Sequence, residues 1–230
     1  MLDLDGTLLG ISEEVFLSQY TELVVNYFTD KYQANEFLNY FWKATEHMYK
    51  DNNDTIYTIE SFFDSFGSSS GMPREEIHKR FDNFYRGDFK KLGNYSYHFP
   101  EARKIIETAV NKDIIPILAT NPIFPEIATR ERCRWANINY DDFYLVSHAE
   151  NSTFVKPNPK YYRKLLDIAE VKPENTLMVG NDYLLDLSAK SVGIHTWLTD
   201  KYHHNEEFKG KFQIDYSGSL SDLLHYIEKL

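Results

Sequence analysis

At 230 residues the chain is long enough to bury a substantial core in one domain, or in one domain plus an insertion. A formal net charge of −10 with a pI near 5.3 and no basic run excludes a general nucleic-acid or membrane-surface role. No apolar stretch approaches a membrane span, and the single cysteine, Cys133, excludes an intrachain disulfide and fits a reducing cytoplasm, so a cytoplasmic protein touching neither nucleic acid nor membrane is expected.

The first chemical signal is Leu2-Asp3-Leu4-Asp5-Gly6-Thr7. Alternate residues of a strand face one side, so Asp3 and Asp5 share a face if the strand runs on, and Gly6 turns the chain beside them. Two carboxylates this close repel unless a cation or a shared proton relieves them. A hard divalent metal answers that need, and Mg²⁺ suits an all-oxygen site that keeps several waters. The same residues also make an ordinary turn; a calcium loop is denied by the apolar Leu8-Leu9 that follows.

From about Glu13 to Lys91 every strong segment has helical period. Val15, Phe16, Tyr20, Leu23, Val24, Tyr27 and Phe28 recur at that spacing, as do Phe37, Leu38, Phe41, Trp42 and Thr45, and then Ile77, Phe81, Phe84 and Tyr85. Asp51-Asn52-Asn53-Asp54 and Gly67-Ser68-Ser69-Ser70-Gly71 are expected as loops between these helices. The seventeen Tyr and sixteen Phe are expected to serve core and cap packing rather than base stacking.

After Pro100 helix and strand alternate, which implies a parallel sheet with right-handed crossovers. Helices are expected near Glu101–Val110, Pro125–Ala136, Asn158–Ala169 and Leu220–Leu230, and strands at Ile114–Ala119, Phe143–Val146, Thr176–Val179 and Ile194–Leu198. Ligands bind such sheets at the carboxyl ends of the strands. There stand Thr120-Asn121, able to donate hydrogen bonds to a phosphoryl oxygen; Lys156-Pro157-Asn158-Pro159, where Lys156 is a point charge; and Gly180-Asn181-Asp182 with Asp186, an acidic metal cradle.

These four elements, in this order, resemble the haloacid dehalogenase superfamily. Ala119–Pro125, Arg134-Trp135-Ala136 and Glu150-Asn151-Ser152 ahead of Lys156–Tyr162 are similar to a little-characterised bacterial branch of it. The resemblance implies an α/β fold: a Rossmann-like parallel sheet core formed by residues 1–11 and 97–230, with a helical-bundle cap of the C1 type inserted at 12–96. It implies hinges at Leu9-Gly10-Ile11 and Tyr95–His98. It also implies roles: Asp3 as the nucleophile that takes the phosphoryl group, Asp5 as general acid and then base, Thr120 and Asn121 as phosphate donors, and Lys156 as the cation steadying nucleophile and phosphate. Mg²⁺ would be held by Asp3, the Asp5 carbonyl and Asp182, with Asp186 either a ligand through water or the partner of Lys156.

An acid at Asp5 favours alkoxide leaving groups over halide, which needs no proton. The expected activity is therefore a Mg²⁺-dependent phosphatase of a small phosphorylated metabolite, acting as a monomer. A phosphomutase and a catalytically silent binding protein are the alternatives. Two departures from the family pattern stand out: only Met1 and Leu2 precede Asp3, so the central strand looks clipped, with a start short of the natural one expected ahead of a truly stunted strand, and Asn181 competes with Asp182 for the metal, Asp182 being chosen on charge.

Overall fold

One residue holds the sheet together. In a computed structural model describing residues 1–230, Leu2 forms parallel bridges to Leu118 on one side and to Val179 on the other. Its N–H donates to Ile117 O at 2.8 Å and its carbonyl accepts from Ala119 N at 2.8 Å, while Asp3 N donates to Val179 O at 2.9 Å and Val179 N to Met1 O at 3.0 Å. The clipped central strand is thus bonded along both edges.

On one side lie β3 (Ile117–Leu118) and β4 (Leu145–Val146); on the other lie β5 (Leu177–Gly180), β6 (His195–Thr199) and β7 (Tyr216–Gly218). Every pairing is parallel, in the spatial order β4, β3, Leu2, β5, β6, β7. Alternate residues go to opposite faces. Leu2, Leu118 and Val179 pack with α5 (Pro100–Asn111) and α8 (Leu220–Glu228), whereas Met1, Ile117, Ala119 and Met178 pack with α7 (Pro159–Ala169). Burial on both faces is why these strands are apolar runs without polar alternation.

β3 and β4 are shorter than their apolar runs, whereas β5 and β6 keep the expected lengths. Phe143 and Tyr144 lie between the 3-10 turn Tyr140–Asp142 and β4, outside the expected strand's paired part, and Ile114–Pro116 likewise lead into β3 outside the strand. β7 escapes sequence periodicity because its Tyr216 and Ser217 are exposed and no apolar run marks it.

Before Pro100 the chain forms α1 (Glu13–Val25), α2 (Ala34–Lys50), α3 (Thr58–Ser70) and α4 (Arg74–Arg86). They close around Phe28, Phe37, Phe41, Phe62, Phe66, Phe81 and Phe84, all buried. The Gly67–Ser70 stretch, expected as a loop, is the last turn of α3, which ends at Gly71 with φ +72°. Phe62 and Phe66, one helical turn apart, are buried on that helix, and their packing overrides the weak propensity of Gly and Ser. The two segments expected as hinges pair with each other: β1 (Leu9–Ile11) runs antiparallel to β2 (Ser96–His98), Gly10 opposite Tyr97. A Cβ on Gly10 would lie 2.4 Å from the Tyr97 ring, so any side chain there would have to displace that ring. No helix is long and apolar enough to cross a membrane.

Phe66 is fully buried, its ring centroid 5.8 Å from those of Phe28 and Phe81 and 6.0 Å from that of Phe62. Phe66→Ala is expected to lower unfolding free energy in urea by about 3–5 kcal/mol; a loss near zero would mean that the aromatic cluster does not stabilise the fold.

Candidate active site

All seven residues singled out in the sequence, Asp3, Asp5, Thr120, Asn121, Lys156, Asp182 and Asp186, line one pocket of about 170 Å³. The fold brings them there because each lies at or after the carboxyl end of a parallel strand or on the loop that follows. Asp3 comes directly after Leu2, Thr120 after β3 and Asp182 after β5.

Lys156 is the hinge of the charge arrangement. Its side chain is 1% exposed, and its Nζ donates to Asp3 Oδ1 at 2.8 Å and to Asp186 Oδ1 at 2.6 Å. Burial alone would favour the neutral amine, but Asp186 and Asp3 outweigh it and hold the Lys156 ammonium well above the ordinary lysine range. Asn121 places this lysine, its Oδ1 accepting from Lys156 N at 3.1 Å.

Asp186 is committed on both oxygens. Oδ1 takes Lys156, and Oδ2 accepts the backbone amides of Asn181 at 3.0 Å and Asp182 at 3.1 Å. Its position as partner of Lys156 is the one the hydrogen bonds describe. Gly180 makes room for it: a Cβ there would lie 2.1 Å from Asp186 Oδ2. Asp182 Oδ1 accepts the Leu184 and Leu185 amides, each at 2.7 Å, and Oδ2 accepts Asn205 Nδ2 at 2.7 Å. Asn181 is turned to other work, accepting from Thr7 Oγ1 at 2.9 Å and donating to Tyr202 O. The Tyr202 hydroxyl in turn donates to that of Tyr97 at 2.7 Å.

Several backbone groups around Asp3 have no partner within the protein. The N–H groups of Leu4, Asp5 and Asn121 donate to nothing, and the Asp5 carbonyl accepts nothing. The Thr120 side chain is buried in the pocket wall and its hydroxyl is unbonded, its carbonyl being held by Tyr161 Oη at 2.9 Å. Five carboxylates, Asp3, Asp5, Glu13, Asp182 and Asp186, line the pocket with two fixed cations, Lys156 and Arg132, and with His204. Such an excess of negative charge in a partly closed pocket suits a dication bound through oxygen.

Three features escaped the sequence. Arg132 of α6 (Glu126–Trp135) donates to Asp5 Oδ2 from a fully buried position. Tyr49 of α2 meets Asn121 Nδ2 at 2.8 Å, and Glu13 of α1 meets His204 Nδ1 at 3.0 Å. The last two link the helical segment to the loops that carry the site, and no periodicity or spacing marks them. Asn52, Asn53, Arg86, Lys90 and Lys91, polar residues of the segment before Pro100, do not line the pocket. Elsewhere, Glu126, His148 and Glu150 bring ligand-type atoms within 4.8 Å of one another, but Glu150 Oε2 is spent on Glu126 N at 2.6 Å and on His148 at 3.1 Å.

Lys156→Met would leave Asp3 and Asp186 facing each other without their cation; a loss of about 3–5 kcal/mol in urea unfolding is expected, and an unchanged midpoint would deny the lysine its central place. The Glu13–His204 contact gives a pH signature. The bond to Glu13 raises His204 from its ordinary 6.5 and the same bond lowers Glu13 from 4.5. The His204 contribution is therefore full below about pH 6.5 and fades as pH rises through its raised value. The Glu13 contribution is full above about pH 4.5 and fades on acidification. The melting difference between wild type and His204→Gln should be greatest near pH 5–6, worth under about 1 kcal/mol at this partly exposed pair, and vanish by about pH 9.

The likeness to known proteins matches this geometry. A family model described as haloacid dehalogenase-like hydrolase matches residues 1–189. A pyrophosphatase, PpaX, of Bacillus cereus is 21% identical over 232 residues, covering 97% of this chain and 93% of the relative. Among solved structures, a HAD phosphatase from Thermococcus onnurineus superposes with a TM-score of 0.59 at 19% identity, covering 98% of this chain and 95% of the other. L-2-haloacid dehalogenase from Xanthobacter autotrophicus gives 0.55 at 14% identity, covering 100% and 97%. These structures share a Rossmann-like core carrying a cap, and by the family match this chain belongs to the haloacid dehalogenase-like hydrolases.

Proposed function

We propose that this hydrolase is a Mg²⁺-dependent phosphatase acting on a small phosphorylated metabolite through an aspartyl phosphate on Asp3, with residues 12–96 closing as a cap over a core of 1–11 and 97–230. One observation carries the reading: Lys156 Nζ bridges Asp3 and Asp186 in the pocket that Asp5, Thr120 and Asp182 also line.

Asp3 is the side chain that this reading assigns to attack phosphorus. Its Oδ1 is held by Lys156, and its second oxygen carries no hydrogen bond. The unpaired amides of Leu4, Asp5 and Asn121 and the free Thr120 hydroxyl are the donors available to the equatorial phosphoryl oxygens, where phosphoryl transfer needs compensation most. Burial pushes the Asp5 carboxyl above the ordinary carboxylate range despite the opposing Arg132, which suits a group that protonates a leaving oxygen and then takes a proton from water. Asp3, the unbonded Asp5 carbonyl and Asp182 would hold the metal, Asp182 rather than Asn181 because a carboxylate brings charge to a dication and an amide does not. When bound, Mg²⁺ supplies neutralisation of the transferring group's charge. The small pocket, below the roughly 300–1,000 Å³ of sites for drug-sized ligands, favours a compact ester, and the pyrophosphatase name of a relative is in keeping with that size.

Phosphate release should require Mg²⁺, stop on chelation, return on Mg²⁺ addition, and fall by about a thousandfold or more in Asp3→Asn. Equal release by wild type and variant would count against Asp3 as nucleophile, and transfer between substrate positions without free phosphate would indicate a mutase.

A further inference from the structure

Arg132 is built into the pocket in a way that its partner Asp5 does not explain. The side chain is 1% exposed, stacks with its Cζ 4.7 Å from the Phe124 ring centroid, and donates through one terminal nitrogen to Asp5 Oδ2 and through the other to Thr129 Oγ1 at 3.2 Å. Its Nε–H, buried, donates to nothing, and Asp5 Oδ1, also buried, accepts nothing. A guanidinium presents five donors in a fixed fork suited to two-pronged pairing with a carboxylate or phosphate. Here a one-pronged contact leaves an orphan atom on each side of the pair, and a buried unsatisfied polar group calls for a missing partner.

The place of that partner follows from Asp5. If Asp5 protonates the leaving oxygen, a group that reaches Arg132 belongs to the leaving half of the substrate, close to the bridging oxygen. Arg132 is the only arginine lining the pocket, and the other cation, Lys156, is engaged by Asp3 and Asp186. The wall beside it, Phe16, Leu17, Ile123 and Phe124, is apolar and offers neutral substituents no hydrogen bonds.

Building on the phosphatase reading, we propose that Arg132 is the specificity residue of this site: it receives a second anion, a carboxylate or phosphoryl group, on the leaving half of a compact phosphate ester or anhydride, and exchanges part of its grip on Asp5 for that anion. No bond is made or broken at Arg132. The substrate class is a phosphate whose leaving group is itself negatively charged within a few bonds of the bridging oxygen.

The test compares matched probes: 2-phosphoglycolate against 2-hydroxyethyl phosphate, which lacks the carboxylate, with inorganic pyrophosphate as the phosphoryl arm. Wild type is expected to favour at least one anionic probe in kcat/KM over the neutral ester by about tenfold or more, and Arg132→Met to abolish that ratio, with Arg132→Lys intermediate because it keeps the charge and loses the fork. Preference for phosphoglycolate alone assigns the second anion as carboxylate, and preference for pyrophosphate alone as phosphoryl. Wild type without preference, or a variant that slows all probes equally and keeps the ratio, overturns the proposal. Calorimetric binding of the same probes with Mg²⁺ to Asp3→Asn and to Asp3→Asn/Arg132→Met separates the two readings. If no probe is hydrolysed by wild type but the anionic preference in binding is present and lost with Arg132, the phosphatase reading fails and the anion site stands; if no probe binds with preference, the anion site fails on its own. Near-ultraviolet circular dichroism of each variant identifies misfolding, and in that event the Arg132→Lys ratio decides.

Discussion

The buried ammonium of Lys156 sets the terms for the rest of the molecule. A cation removed from water costs several kcal/mol unless opposite charge and hydrogen bonds meet it, and here Asp3 and Asp186 do so from two different strand ends. For those carboxylates to arrive together, Leu2 must be locked between β3 and β5, and the loop after Gly180 must fold back so that its amides reach Asp186 Oδ2. Sheet register and charge pairing are therefore one constraint: slipping Leu2 by a residue would send Asp3 to the opposite face.

The candidate site was readable in the sequence because its residues are attached to strand ends, where a short apolar run followed by polar residues signals both the strand and the position of its tip. Thr120 and Asp182 were located on that basis, Asp3 from its pairing with Asp5 and Lys156 from the Lys156–Pro159 run, and all line one pocket. What was not readable depends on long-range packing. The Ser-rich end of α3 is helical because Phe66 must face Phe28 and Phe37, a demand that local propensity cannot express. β7 pairs only along β6 and exposes two of its three side chains, so no pattern announces it.

Arg132 occupies a middle ground. Along α6 the buried residues are Ala128, Thr129, Arg132, Cys133 and Trp135, a helical stripe with a charge set into it. A guanidinium in an otherwise small or apolar stripe was the legible sign of a buried ion pair, but its partner lies 127 residues away at Asp5 and no local rule names it. The same holds for Tyr49 and Glu13, whose partners Asn121 and His204 are on remote loops.

The hairpin of β1 and β2 has a mechanical reach beyond its three residue pairs. The Tyr97 ring lies over Gly10 with no space for a side chain between them, and its hydroxyl is bonded to Tyr202, whose carbonyl holds the amide of Asn181. Asn181 in turn grips Thr7, one residue past the glycine that turns the Asp3–Asp5 loop. A chain of contacts thus runs from the crossing point of the helical segment to the acidic loops and back to the first turn of the polypeptide. The packing of the β1–β2 hairpin and the shape of the anionic floor are therefore joined through a single aromatic contact.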